Sequence, residues 1–406
     1  MTPPQPNGSG PLVGLRVIEF GNLVAAPYCG MLLADLGAEV IKVEPITGDL
    51  ARDIGPFVNG ESGFFISVNR GKKSLACDPK HARVAALLRR LCLGADVVFH
   101  NLRSGAMERM GLGYEDLAPA APRLIYAVIS AFGTTGPYSD RGGIDLVFQG
   151  ESGMMSITGA EGEGPHKTAT TIADFVAGTN AALAIAAALA GRTKSGQGRL
   201  IETSLRDGLI AVQAGWNAQY FASGRQPPRT GTASPVTGPN QSFKTSDGFV
   251  NLAVVSDRHF ADLCRVLGLD RLLDDERYAS NELRVLNRQP LALEIESVLI
   301  DSSTDHWIER LDSVGIPVGR LMDMERVFSD PQVLFNEMVV EIQHPVAGTI
   351  RTQGSPLRID GQPARSLQLP PVLGEDTRPL LVELDVSEAD IDRLRSERAV
   401  VLGSVE

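Results

Sequence analysis

Positive charge is what this 406-residue chain is short of: 38 Lys and Arg stand against 49 Asp and Glu, a formal net charge of −11. Non-specific nucleic-acid binding, or attachment to an anionic membrane, needs a concentrated basic face, so neither partner is expected. Paired cysteines are missing too. Cys29, Cys77, Cys92 and Cys264 are scattered through apolar stretches with no CxxC spacing and no secretory leader, a pattern of reduced, buried thiols in the cytoplasm. The six histidines stand alone, without metal-ligand spacing, and no HExxH, Walker-type Gly-Lys-Ser/Thr loop or Gly-x-Ser-x-Gly elbow occurs. Zinc hydrolysis, P-loop nucleotide chemistry and α/β-hydrolase chemistry therefore lack their signatures. The uncharged run 175–191 falls short of the roughly 20 residues of a membrane span and contains Thr179 and Asn180. It reads as a buried helix packed through alanine.

What is present suits a folded enzyme-sized chain, with 43% hydrophobic and 21% charged residues. Its length calls for two domains, or one large domain with an insertion. The Pro/Gly/Ser-rich residues 1–10 are expected to be a disordered arm. Strand-like runs at 16–20, 40–43, 97–100 and 124–129 alternate with helical spacing at 28–36, 81–92 and 114–118. Such alternation predicts an α/β fold with a Rossmann-like, mostly parallel sheet. The turn after the first strand, Gly21 to Pro27, has no G-x-G-x-x-G, which argues against a dehydrogenase. A Gly/Pro/Thr/Ser-rich segment at 221–241 marks a composition boundary, followed by a small α+β domain to about residue 330. Strand-like runs return at 338–342 and 348–352, with a capped helix at 387–395.

Asp174 stands immediately before the Ala/Leu-rich run. A short acidic residue there can accept N–H bonds from a first helical turn, and the helix dipole keeps it ionised. A dry site above it would make the same carboxylate a nucleophile. Helix caps are far commoner than nucleophiles, so this stretch alone favours the cap. The basic groups of Asn69-Arg-Gly-Lys-Lys-Ser-Leu75, Lys80 and the stretch 101–109 fall in predicted loops after strands, where an α/β sheet collects ligands and could hold phosphates.

The residues carry a resemblance that runs almost end to end: Gly14-Leu-Arg-Val-Ile-Glu-Phe20, Ala26-Pro27, Leu36-Gly-Ala-Glu-Val-Ile-Lys-Val-Glu-Pro45, Asn69-Arg-Gly-Lys-Lys-Ser74, Gly111-Leu-Gly113 and Ser195-Gly-Gln-Gly198. Asp247-Gly-Phe-Val250, Gly315-Ile-Pro-Val318 and Val372-Leu-Gly-Glu-Asp-Thr377 follow in order. Together they resemble the class III coenzyme A transferases, which include formyl-CoA and carnitine-CoA transferases and, more distantly, α-methylacyl-CoA racemases. The resemblance implies that Asp174 is the catalytic aspartate, passing through an aspartyl-acyl anhydride and an aspartyl-CoA thioester. It implies coenzyme A contacts at Leu23, Val24, Cys77, Lys80, Asn101 and Arg109. Acyl-CoA and a carboxylic acid would be the substrates, with no permanently bound cofactor and no metal.

The family's large domain is built from both chain ends, with the small domain inserted, in an interlocked homodimer. On that analogy the arrangement is 11–220 with 331–406 as the CoA-binding domain and 221–330 as the small one. Gly238, in the loop 235–240, is the candidate lid and backbone oxyanion donor. Two departures stand out. Val24 replaces the glutamine of formyl-CoA transferases, and Ile144-Asp145 replaces their tyrosine-glutamate pair, which disfavours formyl or oxalate specificity. Asp145 either hydrogen-bonds the acceptor or caps a turn. Arg52 and Arg229, surface charges by default, could pair with a second carboxylate on the acceptor. The other readings are a racemase, which would need a histidine where Ile144 stands, and a catalytically silent CoA-binding protein.

Overall fold

The computed structural model describes residues 10–366 and 368–403; of the expected N-terminal arm, residues 1–9 lie outside them. The chain divides into two compact units, one of Met1–Ser152, Ala169–Ala214 and Pro331–Glu406, the other of Gly153–Thr168 and Gly215–Asp330.

The first unit is built on a seven-stranded sheet in the order Val400–Val401, Lys72–Cys77, Glu39–Glu44, Arg16–Phe20, Val97–His100, Ile125–Ser130, Arg199–Ser204. All pairings are parallel except that of the short C-terminal strand, which runs antiparallel to Lys72–Cys77. The central first strand is buried from Val17 to Phe20, with Val17, Ile18 and the ion-paired Glu19 at zero exposure, as a strand covered on both faces is. The chain adds two strands on one side of it, then returns to add three on the other. The place where strand order reverses, beyond the carboxyl ends of Arg16–Phe20 and Val97–His100, is where open α/β sheets receive ligands.

One stretch read as a loop is a strand. Lys72–Cys77 is a regular sheet strand, although its two leading lysines disguise it as a loop. The first helix, Ala25–Asp35, also begins earlier than its spacing suggests and takes Pro27 into its first turn, where a missing N–H costs nothing.

The central helix runs from Ile172 to Ser195, longer at both ends than its uncharged stretch, and stops at left-handed Gly196. By length and composition alone this 24-residue helix could cross a membrane. It packs instead on the first helix and on the strands Ile125–Ser130 and Arg199–Ser204, and its buried Arg192 pairs with Asp96 at 2.8 Å. A Cβ on Gly178 would lie 2.6 Å from the Ala25 carbonyl oxygen. Glycine there lets the two helices approach until the start of the first lies over the first turns of the second.

The second unit has a three-stranded antiparallel sheet, Val318–Arg320, Gly248–Ala253 and Asn240–Thr245 in that order. Helices Asp257–Leu267, Arg288–Leu299 and Thr304–Asp312 pack their apolar faces into one core with Phe243, Val250, Leu263 and Trp307. Ser256 and Ser303 cap two of these helices with their side-chain oxygens, the arrangement expected of serine at that position.

Candidate active site

Asp174 lies in the first turn of the central helix, not ahead of it: the helix starts at Ile172, and Thr171 supplies no side-chain cap. The carboxylate accepts its own N–H and, across the chain, the N–H of Ala25. It therefore caps another helix, the first one, whose Val24 offers no side-chain cap. The vacant cap position of the central helix is filled in turn by Asp145, whose Oδ1 accepts the Ala173 N–H at 2.9 Å while Gln149 Nε2 donates to Oδ2 at 2.6 Å. Two caps are thus chained, Asp145 on the central helix and Asp174 on the first.

The expectation that the dipole keeps Asp174 ionised does not hold. Burial, and next the nearby charge of Asp145, push its pKa up to about 7, against the lowering effect of the two N–H bonds. Desolvation and a like charge both disfavour the anion, and here they outweigh the dipole. At neutral pH the group is divided between its two forms. A carboxylate so raised is a stronger base than a solvated one, the condition sought in an active-site nucleophile.

The turn between the first strand and the first helix is held on every side. Lys42 Nζ donates to Gly21 O at 2.7 Å; Asn101 accepts the Asn22 N–H and donates to the Asn22 carbonyl, both at 3.0 Å; Asp49 Oδ1 accepts the Leu23 N–H at 3.0 Å. Leu23 has φ +65°, a left-handed conformation that costs a branched residue about 1–2 kcal/mol. The clamps sustain it. Beneath lies a buried ionic network. Lys42 meets Glu19 at 2.9 Å and Asp49 at 2.7 Å, Lys72 meets Glu19 at 2.8 Å, and Arg52 grips Glu44 with two 2.8 Å bonds. A Cβ on Gly30 would fall 2.1 Å from the Glu19 carboxylate, so glycine leaves that pair its space. Burial alone would raise the acids, but Arg52 holds Glu44 below its ordinary range and Lys42 does so for Asp49. Burial lowers Lys72 to about 8.

The expected coenzyme contacts divide accordingly. Leu23 and Val24 form the clamped turn. Asn101 lies beside it, with its amide spent on Asn22. Cys77 is buried, its thiol pushed up to about 12 by desolvation. Lys80 and Arg109 are exposed, and among the described residues neither forms an ion pair. The other basic groups of 69–75 are not freely solvated: Arg70, in the turn before the strand, is paired with Asp35, and Lys72 and Lys73, in the strand, with Glu19 and Glu39.

Arg52 is no surface charge. It binds Glu44 and the Pro371 carbonyl and stacks 3.7 Å over Phe65. Ile144 is exposed at 63%. Gly238, in the second unit, donates its N–H to Asn281 and accepts from Arg284, so in this structure it is not a free oxyanion donor. The Ala25 N–H was missed by sequence reasoning, because nothing local to residue 25 signals a partner 149 positions away.

A family model described as CoA-transferase family III matches residues 12–377. The chain belongs to this family. This class III CoA-transferase is 38% identical over 387 residues to the succinyl-CoA:glutarate CoA-transferase of Mus musculus, covering 95% of this chain and 89% of the relative. It is 39% identical over 396 residues to the succinate–glutarate CoA-transferase of Agrobacterium fabrum, with 94% and 98% coverage. Among solved structures it resembles a CAIB/BAIF family protein from Brucella suis at 36% identity and TM-score 0.83, covering 93% of this chain and 100% of the other. The enzyme's substrates accordingly include CoA thioesters.

Proposed function

We propose that the enzyme moves coenzyme A from succinyl-CoA to a dicarboxylic acid of glutarate type, with Asp174 as the covalent carrier. The observation that carries this reading is a desolvated carboxylate, raised to about 7, held against the Ala25 N–H beside the sheet's switch point. The relatives' names supply the substrate pair.

The ionised Asp174 attacks the thioester carbonyl and the C–S bond breaks, leaving a mixed anhydride and CoA thiolate. The thiolate then attacks the aspartyl carbonyl, expelling succinate and forming an aspartyl-CoA thioester. The acceptor carboxylate attacks that carbonyl and releases thiolate again, giving a second anhydride. Thiolate attack on the acceptor's carbonyl yields the new acyl-CoA and restores Asp174. No proton moves in the sum, which suits a nucleophile with no histidine among its partners in the described residues. The Ala25 N–H supports the aspartyl oxygen when negative charge gathers there. Asp145 orients the central helix, and Lys80 and Arg109 serve the phosphates as exposed, unpaired cations.

The reading extends to an interlocked homodimer in the cytoplasm; its association part draws on an uncovered ridge of the central helix, Thr179, Leu183 and Ala187, with Leu183 68% exposed. The test of the chemistry is intact-protein mass spectrometry after incubation with succinyl-CoA and hydroxylamine. A hydroxamate at Asp174, absent from Asp174→Ala, is expected, together with a loss of turnover of at least about 1,000-fold. An unlabelled parent that still binds CoA would sink the covalent route.

A further inference from the structure

Asp49 is assigned no contact with substrate, yet the molecule commits a great deal to it. Its backbone N–H is held by Glu44 Oε2 at 2.9 Å, its Oδ2 meets Lys42 Nζ at 2.7 Å, and its Oδ1 accepts two backbone N–H groups, Ala51 at 2.8 Å and Leu23 at 3.0 Å. It is 1% exposed. Lys42, which holds it from below, is shared with Glu19, and Glu19 with Lys72. The side chain is therefore fixed from several directions before it touches Leu23.

What Asp49 holds is the one non-glycine residue of the turn with a left-handed backbone, Leu23 at φ +65°. Two residues further on is Ala25, whose N–H donates to Asp174. Released from Asp49, Leu23 relaxes toward negative φ, and the direction of every following N–H in the turn changes with it. The Val24 carbonyl, already tied to the Tyr28 N–H at 2.7 Å, transmits that rotation into the helix start.

We propose that Asp49 is a positioning residue for the reaction: by pinning the Leu23 N–H it aims the Ala25 N–H at the nucleophilic carboxylate of Asp174. The inference rests on Asp174 being the nucleophile. The network below the turn thereby reaches the reacting group without facing it. Asp145 is the one titratable neighbour whose charge acts on Asp174 among the described residues.

The sign of one shift separates aiming from mere electrostatics. If Asp49 acted through space, removing its negative charge would make Asp174 easier to ionise and lower its midpoint. If it acts by aiming, losing the Ala25 N–H removes a bond that favours the anion, and the midpoint rises. Asp49→Asn can satisfy either Lys42 or the two N–H groups with its single oxygen, not both. Asp49→Glu keeps the charge against Lys42, and with it the fold, while moving the accepting oxygen off Leu23.

The experiment is an infrared titration of the Asp174 carboxyl stretch, isolated by subtracting the spectrum of Asp174→Asn, in the parent, Asp49→Asn and Asp49→Glu. The expected result is a midpoint near pH 7 in the parent and a higher one in both variants. At pH 8, kcat/KM should fall about 10- to 100-fold. An unchanged or lowered midpoint in folded Asp49→Glu would overturn the proposal. Hydroxylamine trapping on the same parent reports separately: no Asp174 adduct there counts against the transferase chemistry, while the infrared shift still decides whether Asp49 aims the N–H.

Discussion

Two sets of acids, one buried and one buried or half-buried, lie close to the same end of the sheet, and they are treated oppositely. Under the turn, Glu19, Glu44 and Asp49 are met by Lys42, Lys72 and Arg52, and Glu44 and Asp49 sit below their ordinary pKa. At the helix ends, Asp174 and Asp145 meet backbone and amide N–H groups, with no cation paired to either among the described residues, and Asp174 rises to about 7. Compensated acids build the frame. The uncompensated pair suits the proposed reactivity, because a desolvated carboxylate without a cation is held at a higher free energy that bond formation can release.

The largest way to break this contrast is to strip a cation from the frame. Lys42→Met should leave Glu19 and Asp49 short of a partner and cost about 3–5 kcal/mol of stability, read as a fall in denaturant midpoint. The opposite sign is expected for Asp174→Asn. A folded-state pKa above the unfolded value means the parent's contribution is intact below about pH 4 and is lost as pH rises through 7. The variant should therefore match the parent near pH 4 and exceed it above pH 8, by about 2 kcal/mol once partial exposure is allowed for.

The cations offer the mirror image. Arg52 and Lys72 are spent internally, whereas Arg109 has no ion pair among the described residues, so on the proposed phosphate contact Arg109→Ala should raise the KM for acyl-CoA by roughly 5- to 10-fold with kcat unchanged. The smallest effect is expected within the uncompensated pair. Asp145→Asn removes the like charge, so the acidic limb of kcat/KM should move below pH 7. An upward or absent movement would mean that the loosened cap on Ala173 matters more than the charge.

The sequence carried the parallel sheet, since alternating apolar strands and helices report their own period, and it pointed to Asp174 only through resemblance. It concealed which helix Asp174 caps. A cap drawn from another segment leaves no local trace, and Asp145 with Ala173, or Asp174 with Ala25, meet only after folding. The lysines of 72–73 misled for a related reason. Their partners, Glu19 and Glu39, lie 53 and 34 positions away, so a strand of paired cations, Lys72 buried and Lys73 half-buried, looks like a solvated basic loop.

The chained caps also make the backbone a witness to the chemistry. On the proposed route, each acylation of Asp174 would remove its charge, and the first helix would lose its anionic end-stop until the carboxylate returned. Opening of the Ala25–Ala26 amides to solvent should thus rise and fall with the covalent state, so that deuterium uptake at one helix end would keep time with turnover.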